Sequence, residues 1–147
     1  MGTMVGVLAA LVLSCPLPRS SSVVPVAGEV VGRFVAPSCE RCAGRRGILV
    51  ATVAGTTVHA TRGGIITFAG AVGGVLWVVQ QVAPDVRISY GRLAAIAPGV
   101  RAGGEVPTGA PVGVAAGRTH LGLRVGSVYR DPIGCWVGRA RLVDQPR

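Results

Sequence analysis

The residues best suited to chemistry in this chain are its four cysteines and two histidines. Cys39 and Cys42 form a C-x-x-C pair, whereas Cys135 lies far downstream. Cys15 lies among the first residues, so three cysteines remain for the rest of the chain. In an oxidising compartment we expect either a Cys39–Cys42 disulfide or a disulfide between one of them and Cys135, and both arrangements leave one of the three as an odd thiol. Together with His120, these three cysteines also have the ligand types of a Cys3His zinc site, although no second paired motif supports it.

The first residues are typical of an export signal. An apolar core at 5–13 is followed by Ser14, Cys15 and Pro16, which fits a secretory leader over residues 1–18. The same stretch resembles a loose lipobox, so a lipid anchor on Cys15 is the alternative to simple cleavage. We expect residues 19–28 to form a linker, 29–140 one folded domain and 141–147 a tail. The sequence therefore predicts an exported protein, extracellular or in the cell envelope, that meets a membrane only through its leader.

The charge predicts an anionic partner. All 15 positive charges are arginines, and with six acids they give a net charge of +9. Nucleic acid is not expected, because the arginines are scattered singly and the few aromatic residues do not interleave with them as a stacking surface requires. Anionic envelope polymers, lipid headgroups or a plain compositional bias toward arginine all remain compatible with this charge.

The elements that must position these residues are short strands. Runs rich in Val, Ile and Thr, each bounded by Gly, Pro or a polar turn, cover residues 29–35, 47–53, 57–60, 64–69, 75–81, 86–90, 111–116, 119–125 and 127–129. Only 91–96 shows helical periodicity. The run from Val75 to Val79 lacks alternation, so we expect this strand to be covered on both faces. The predicted class is mainly β, with antiparallel strands in a two-sheet arrangement, either a folded sheet or a sandwich.

Several motifs follow one another in a familiar order. Residues 44–51 are similar to a G-H-R-G-x-D-x-A pattern, residues 89–93 to Y-x-H-L, and residues 106–113 to V-x-x-G-x-x-i-G. Residues 119–124 and 129–132 are similar to L-H-f-g-l-r followed by y-v-D-P. Taken together, the motifs resemble the lysostaphin-like (LytM-type) zinc endopeptidases, which are peptidoglycan hydrolases. The resemblance spans nearly the whole domain and implies a lysostaphin-like peptidase fold with a central groove.

The resemblance fails at the positions that carry the family's chemistry. That chemistry requires a zinc held by a His, an Asp four residues later and the second His of an H-x-H pair, with two further histidines assisting the attacking water. Here Arg45 and Leu49 stand at the first two ligand positions, Arg118 begins the H-x-H pair and Arg92 replaces the remaining histidine. Only His120 survives. Leucine has no lone pair and a guanidinium has no acceptor, so we expect neither a bound metal or other cofactor nor hydrolysis.

Two functions are compatible with a degenerate member of such a family. The first is an inactive domain whose groove, lined by Arg45, Leu49, Arg92, Arg118 and His120, binds the carboxylates of cell-wall peptide or regulates an active cell-wall hydrolase. An alternative is that the three arginines have no binding role and stand in a site that has lost its function; the sequence would be the same in either case. The second function is an active peptidoglycan metallopeptidase with a non-standard zinc site, to which Glu40, His59 and the cysteines could contribute.

The two histidines have different expected positions. His59 lies in a β-like run and is expected to be a satisfied strand or surface histidine. On its strand, His120 shares one face with Arg118, Gly122 and Arg124, whereas Leu121, Leu123 and Val125 share the other. We therefore expect His120 to point along the floor of the groove.

Overall fold

The computed structural model describes residues 15, 17 and 22–136 of the chain. Nine strands make up most of this part, and one helical turn covers 133–136. The strands are β1 Glu29–Gly32, β2 Gly47–Ala51, β3 Thr57–His59, β4 Gly64–Val72, β5 Val75–Ala83, β6 Val86–Ile96, β7 Glu105–Val106, β8 Pro111–Val125 and β9 Val128–Arg130. The mainly β class is confirmed.

All the strand pairings are antiparallel, and the long strand β8 organises them. The hydrogen-bonded order is β1-β2-β8-β6-β5-β4-β7, with β3 and β9 also paired to β8. Strand β6 runs along one edge of β8, and β3, β2 and β9 follow one another along the opposite edge. Short turns link neighbours: Val72 pairs with Val75, so the β4–β5 turn contains only Gly73 and Gly74 at φ 58° and 79°. Two-residue turns with positive φ at both positions suit glycine and match the twist of a hairpin.

The β6–β8 pairing is interrupted where the sheet bends. Gly91 pairs with His120, but Leu93 pairs with Ala115, so β8 has several more residues than β6 in this interval. Arg92 occupies the interruption with φ 58°, the only left-handed non-glycine residue in the described part of the chain. Such irregularities bend strands and increase their twist. The bend therefore lies directly beside His120.

The core lies on one face of this folded sheet. Buried side chains alternate along the strands and include Ile48 and Val50 of β2, Ile88 and Tyr90 of β6, and Leu121 and Leu123 of β8. Residues from both ends of the described chain complete it, namely Leu17, Val26, Cys135 and Trp136. The face predicted for Leu121 and Leu123 is thus confirmed, and His120 lies on the opposite face.

A buried polar network crosses this core. The Tyr90 hydroxyl donates to Oε1 of Gln80 at 2.9 Å and accepts a hydrogen bond from the backbone N–H of Thr61 at 3.0 Å. Nε2 of Gln80 in turn donates to the carbonyl of Arg62 at 2.7 Å. Burial raises the pKa of Tyr90 above its usual range, so the phenol stays protonated. The tyrosine of the Y-x-H-L-like motif therefore has a structural role.

Three expectations differ from the structure. The window 91–96 is strand, because β6 pairs with β8 through Ile96 and this pairing overrides local helical periodicity. The described part of the expected linker packs on the domain: Val26 is buried, and the N–H of Val23 donates to the carbonyl of Thr61 at 2.8 Å. The greater part of the predicted leader, residues 1–14, and the tail at 141–147 lie outside the described residues.

The cysteine pairing is the third difference. The Cys39–Cys42 disulfide is present, but Cys135 pairs with Cys15, so no odd thiol remains. A sulfur in a disulfide cannot also carry a thioether-linked lipid, so this pairing is incompatible with the alternative of a lipid anchor on Cys15. Sequence spacing failed here because Cys15 was assigned to the leader. Within the described residues, no helix has both the length and the apolarity needed to span a bilayer.

Candidate functional site

Two of the predicted groove residues, Leu49 and His120, lie in a row that crosses the sheet on the face opposite the core. Successive strand pairings connect Gly70, Trp77, Gly91, His120, Leu49 and Gly32. Their neighbours in sequence, such as Val78, Tyr90 and Leu121, point into the core. We call the surface that carries this row the groove face. His120 is at the middle of it, with Leu49 directly opposite on β2.

His120 packs against the indole of Trp77 and lies close to Gly47. Its ring lies 4.9 Å from that of Trp77, centroid to centroid, at an interplanar angle of 68°, an edge-to-face contact. Trp77 lies over Gly91, where an added Cβ would come within 2.3 Å of the indole. A Cβ on Gly47 would similarly come within 2.6 Å of the imidazole. Glycine at both positions is therefore needed for the two rings to pack against the sheet.

The imidazole is uncharged at neutral pH. Burial, followed by the positive charges of Arg92 and Arg45, lowers the pKa of His120 from 6.5 to about 4. Its Nδ1 atom is buried and has no hydrogen-bond partner among the described residues. The pKa of a general base that works at neutral pH lies near 7. The pKa of His120, beside the two cations Arg92 and Arg45, lies well below that value.

Backbone geometry directs the two arginines toward His120. Arg92 sits in the bulge after Gly91, and its left-handed backbone costs roughly 1 kcal/mol, which the flanking strand pairs must offset. Arg45 is fixed by a bridge to Val35, with N–H to carbonyl distances of 2.9 and 3.0 Å. Its guanidinium crosses Gly32 beside Leu49 and donates to the carbonyl of Arg33 at 3.4 Å.

Arg118 lies at the margin of this group. It precedes His120 by two residues on the same face of β8, pairs with Ala51 and is exposed. The guanidinium groups that act on the imidazole are those of Arg92 and Arg45. The structure thus brings Arg45, Leu49, Arg92 and His120 together and leaves Arg118 near the solvent edge.

The residues present do not fit a zinc ion. Leu49, the nearest cross-strand neighbour of His120, offers no lone pair, and the guanidinium groups offer no acceptor. Across residues 15, 17 and 22–136, no group of three or more His, Cys, Asp or Glu side chains is arranged to hold a metal. We therefore assign no metal-dependent step to this site.

The other proposed ligands are engaged elsewhere. All four cysteines are in disulfides, so the alternative of a Cys3His site at Cys39, Cys42, His120 and Cys135 has no thiolates in this structure. Nδ1 of His59 lies 2.9 Å from the carbonyl of Gly109, and its backbone N–H donates to the carbonyl of Pro25. His59 is a satisfied strand histidine, as expected.

Trp77 is the site residue that sequence reasoning missed. Its strand showed no alternation, which predicted cover on both faces. The structure shows a half-buried Trp77 whose cover on the groove face includes His120. The missed signal was a tryptophan on the outward-facing register of that strand, since so large a side chain needs a partner there.

Comparison with known proteins supports the fold through structure rather than sequence. No family model matches the chain, and no curated protein matches it significantly. The Helicobacter pylori protein Csd3, in its orthorhombic crystal, matches with a TM-score of 0.67 and 18% identity over 80% of this chain and 37% of that one. The chain therefore spans only about a third of the length of the Csd3 chains it matches.

Shorter proteins match over nearly their whole length. The catalytic domain of the antimicrobial peptidase lysostaphin from Staphylococcus simulans gives a TM-score of 0.58 and 20% identity, over 72% of this chain and 90% of that one. A chain of the SpoIIQ–SpoIIIAH pore-forming complex gives 0.65 and 16%, over 86% and 98%. At such low identity these matches describe architecture alone. The chain therefore has the lysostaphin-like, LytM-type peptidase fold.

Proposed function

We propose that this domain is a catalytically inactive relative of peptidoglycan endopeptidases that binds carboxylate groups of cell-wall peptide without cutting them. The observation that carries the proposal is the neutral His120 flanked by Arg45 and Arg92, with Leu49 in place of a ligand. The residues here do not provide the ligands for a metal that would activate a water molecule. They do provide two fixed positive charges, on Arg45 and Arg92, that can bind an anion.

Arginine chemistry favours carboxylate as the ligand. The planar guanidinium presents paired donors that match a carboxylate in bidentate geometry and keeps its charge at any physiological pH. In the described part of the chain, Arg45, Arg92 and Arg118 form no ion pair with an acidic side chain, so their charge is not neutralised internally. Stem peptides of peptidoglycan, the substrates of the family that the fold resembles, carry free carboxylates.

Location in an oxidising compartment fits the same proposal. The two disulfides, Cys15–Cys135 and Cys39–Cys42, are of the kind that persists outside the cytosol. We therefore propose that the protein is exported and acts extracellularly or in the cell envelope. Regulation of an active wall hydrolase would use the same cationic surface, with an acidic segment of that enzyme in place of the peptide.

Calorimetric titration with muropeptides tests the carboxylate site. We expect Arg45→Ala, Arg92→Ala and Arg118→Ala together to weaken binding by about 100-fold or more, since each hydrogen bond to a charged group contributes about 1.5–3 kcal/mol. The control replaces three other exposed arginines, Arg41, Arg101 and Arg130, and makes the same change in net charge. Equal affinity of the two triple variants, or no binding by the native protein, would refute the proposal.

A further inference from the structure

A second cluster of positive charge lies on the groove face, beyond His120. Tyr129 of β9 is paired with Arg124 of β8, whose guanidinium carbon is 5.9 Å from the centre of the tyrosine ring. The guanidinium carbon of Arg46 is 5.7 Å from the same centre. Both distances are typical of cation–π contacts. We call Arg46, Arg87, Arg124 and Tyr129 the Tyr129 cluster.

The two stacked arginines are held in place but keep donors for a ligand. Nη2 of Arg46 donates to the carbonyls of Glu40 and Cys42, at 2.7 and 3.5 Å, and Nε of Arg124 donates to the carbonyl of Gly126 at 2.8 Å. The remaining donors, on Nε and Nη1 of Arg46 and on both terminal nitrogens of Arg124, have no partner among the described residues. Because the side chains are already fixed, an anion would bind with little further loss of side-chain entropy.

Arg87 adds a third charge that the fold itself does not balance. It lies directly opposite Arg124 in the β6–β8 pairing. Like charges at directly opposed positions destabilise a sheet. Within the described part of the chain, no acidic side chain forms an ion pair with Arg46, Arg87 or Arg124. An anion bound between them would remove this repulsion.

Arg124 of the Tyr129 cluster lies on the same strand as His120. His120, Gly122 and Arg124 project from the same face of β8, so the two positively charged regions are separated by four residues, or about 13 Å. The surface between them is small and uncharged, since Gly122 pairs with Ser89 on one side and Gly47 on the other. An extended peptide places the side chains of residues i and i+4 on one face at the same spacing.

We propose that the Tyr129 cluster is a second carboxylate site, so that the groove binds an extended peptide whose two carboxylates are about 13 Å apart. The inference rests on the proposed function, because the first carboxylate occupies the site formed by Arg45 and Arg92. A peptide fits the neutral middle of the groove with small uncharged residues. A polymer with closely spaced phosphates would place charges there with no cation to meet them.

Two isomeric peptides test the spacing. Acetyl-Glu-Ala-Ala-Ala-Glu-amide carries carboxylates at i and i+4, and acetyl-Glu-Glu-Ala-Ala-Ala-amide has the same composition and charge with the carboxylates adjacent. We expect the native protein to bind the spaced peptide roughly tenfold more tightly, since only this isomer reaches both sites. Dissociation constants come from NMR titration of the amide resonances, whose dispersion also reports that each variant is folded.

The variants separate the second site from general electrostatic attraction. Arg87→Gln with Arg124→Gln should reduce the ratio between the two peptides to about one. The control pair Arg62→Gln with Arg101→Gln, which lies beside β4 and β7 at the far end of the strand order, should leave the ratio unchanged. A ratio near one in the native protein, or one that persists without Arg87 and Arg124, would overturn the second site. If muropeptide binding still depends on Arg45, Arg92 and Arg118 in that case, the proposed function stands and this inference alone fails.

Discussion

Removing the Cys15–Cys135 disulfide is expected to lower the free energy of unfolding by about 2–4 kcal/mol. The two cysteines are separated by 120 residues, so the bond closes nearly the whole described domain into a loop and restricts the unfolded chain strongly. In the folded state it ties Leu17 and Trp136 into the same core. Urea denaturation of the Cys15→Ser, Cys135→Ser double variant, compared with the native chain, measures the change.

The second disulfide provides the matched control. Cys39 and Cys42 are separated by three residues, so their bond closes only a short loop, and its removal is expected to cost about 2 kcal/mol or less. Equal losses of stability for the two double variants, or no loss on removal of Cys15–Cys135, would contradict the role assigned to the long-range bond.

Stability should fall as the pH drops from 7 to 5, and His120 should account for about 2 kcal/mol of that loss. Its pKa is about 4 in the folded protein against 6.5 for an ordinary histidine, so between these values the unfolded chain binds a proton that the folded chain does not. The stabilisation is therefore complete above pH 6.5 and declines toward pH 4. The charged groups that act on the ring are Arg92 on β6 and Arg45 before β2. The other side chains beside the ring, Trp77 on β5 and Leu49 on β2, are neutral.

Urea denaturation at several pH values, on native protein and on His120→Gln, isolates this contribution. Glutamine does not titrate, so its pH dependence in this window should be shallower by the histidine's share, while acidic residues titrate equally in both proteins. His59→Gln is the control, since Nδ1 of that histidine lies within hydrogen-bond distance of the carbonyl of Gly109 and His59 is not part of the group around His120. Parallel curves for native protein and His120→Gln would show that His120 titrates normally.

The local sequence pattern was sufficient to predict the class of fold and which residues of β8 face the core. Alternation from Thr119 to Val125 placed His120 on the face opposite Leu121 and Leu123, and the structure agrees. Short apolar runs between Gly and Pro likewise located most of the strands. These features depend on neighbours a few residues apart, which is the range over which sequence periodicity carries information.

The parts that could not be predicted all depend on long-range contacts. No local signal indicates that Leu49 pairs with His120, that Trp77 folds over Gly91, or that Cys15 bonds to Cys135. The left-handed Arg92 arises from a mismatch in length between β6 and β8, which becomes visible only when the strands are paired. The motif resemblance supplied some of this missing information, because it connected residues 45, 49, 92 and 120, which the structure brings together. It also included Arg118, which lies at the margin of the group.

The chain differs from the motifs it resembles mainly at the chemical positions. The residues that shape the sheet are of the kinds it needs: glycine at positions 47 and 91, tyrosine at 90 and apolar residues in the core. Change is concentrated at the positions where chemistry would occur, and three of these are arginine. Under the proposed function, the groove carries fixed positive charge at positions where the resembled peptidases carry metal ligands, and it binds peptide without hydrolysis.

Zinc content of the purified chain tests this proposal most directly. After equilibration with zinc and removal of the unbound ion, elemental mass spectrometry should find well below one zinc per chain, and incubation with cell walls should release no peptide. One zinc per chain that is lost in His120→Ala, together with peptide release from cell walls, would contradict the account and show that the protein is an active metallopeptidase. Zinc lost instead on changing Cys39 or Cys42 would contradict the disulfide assignment.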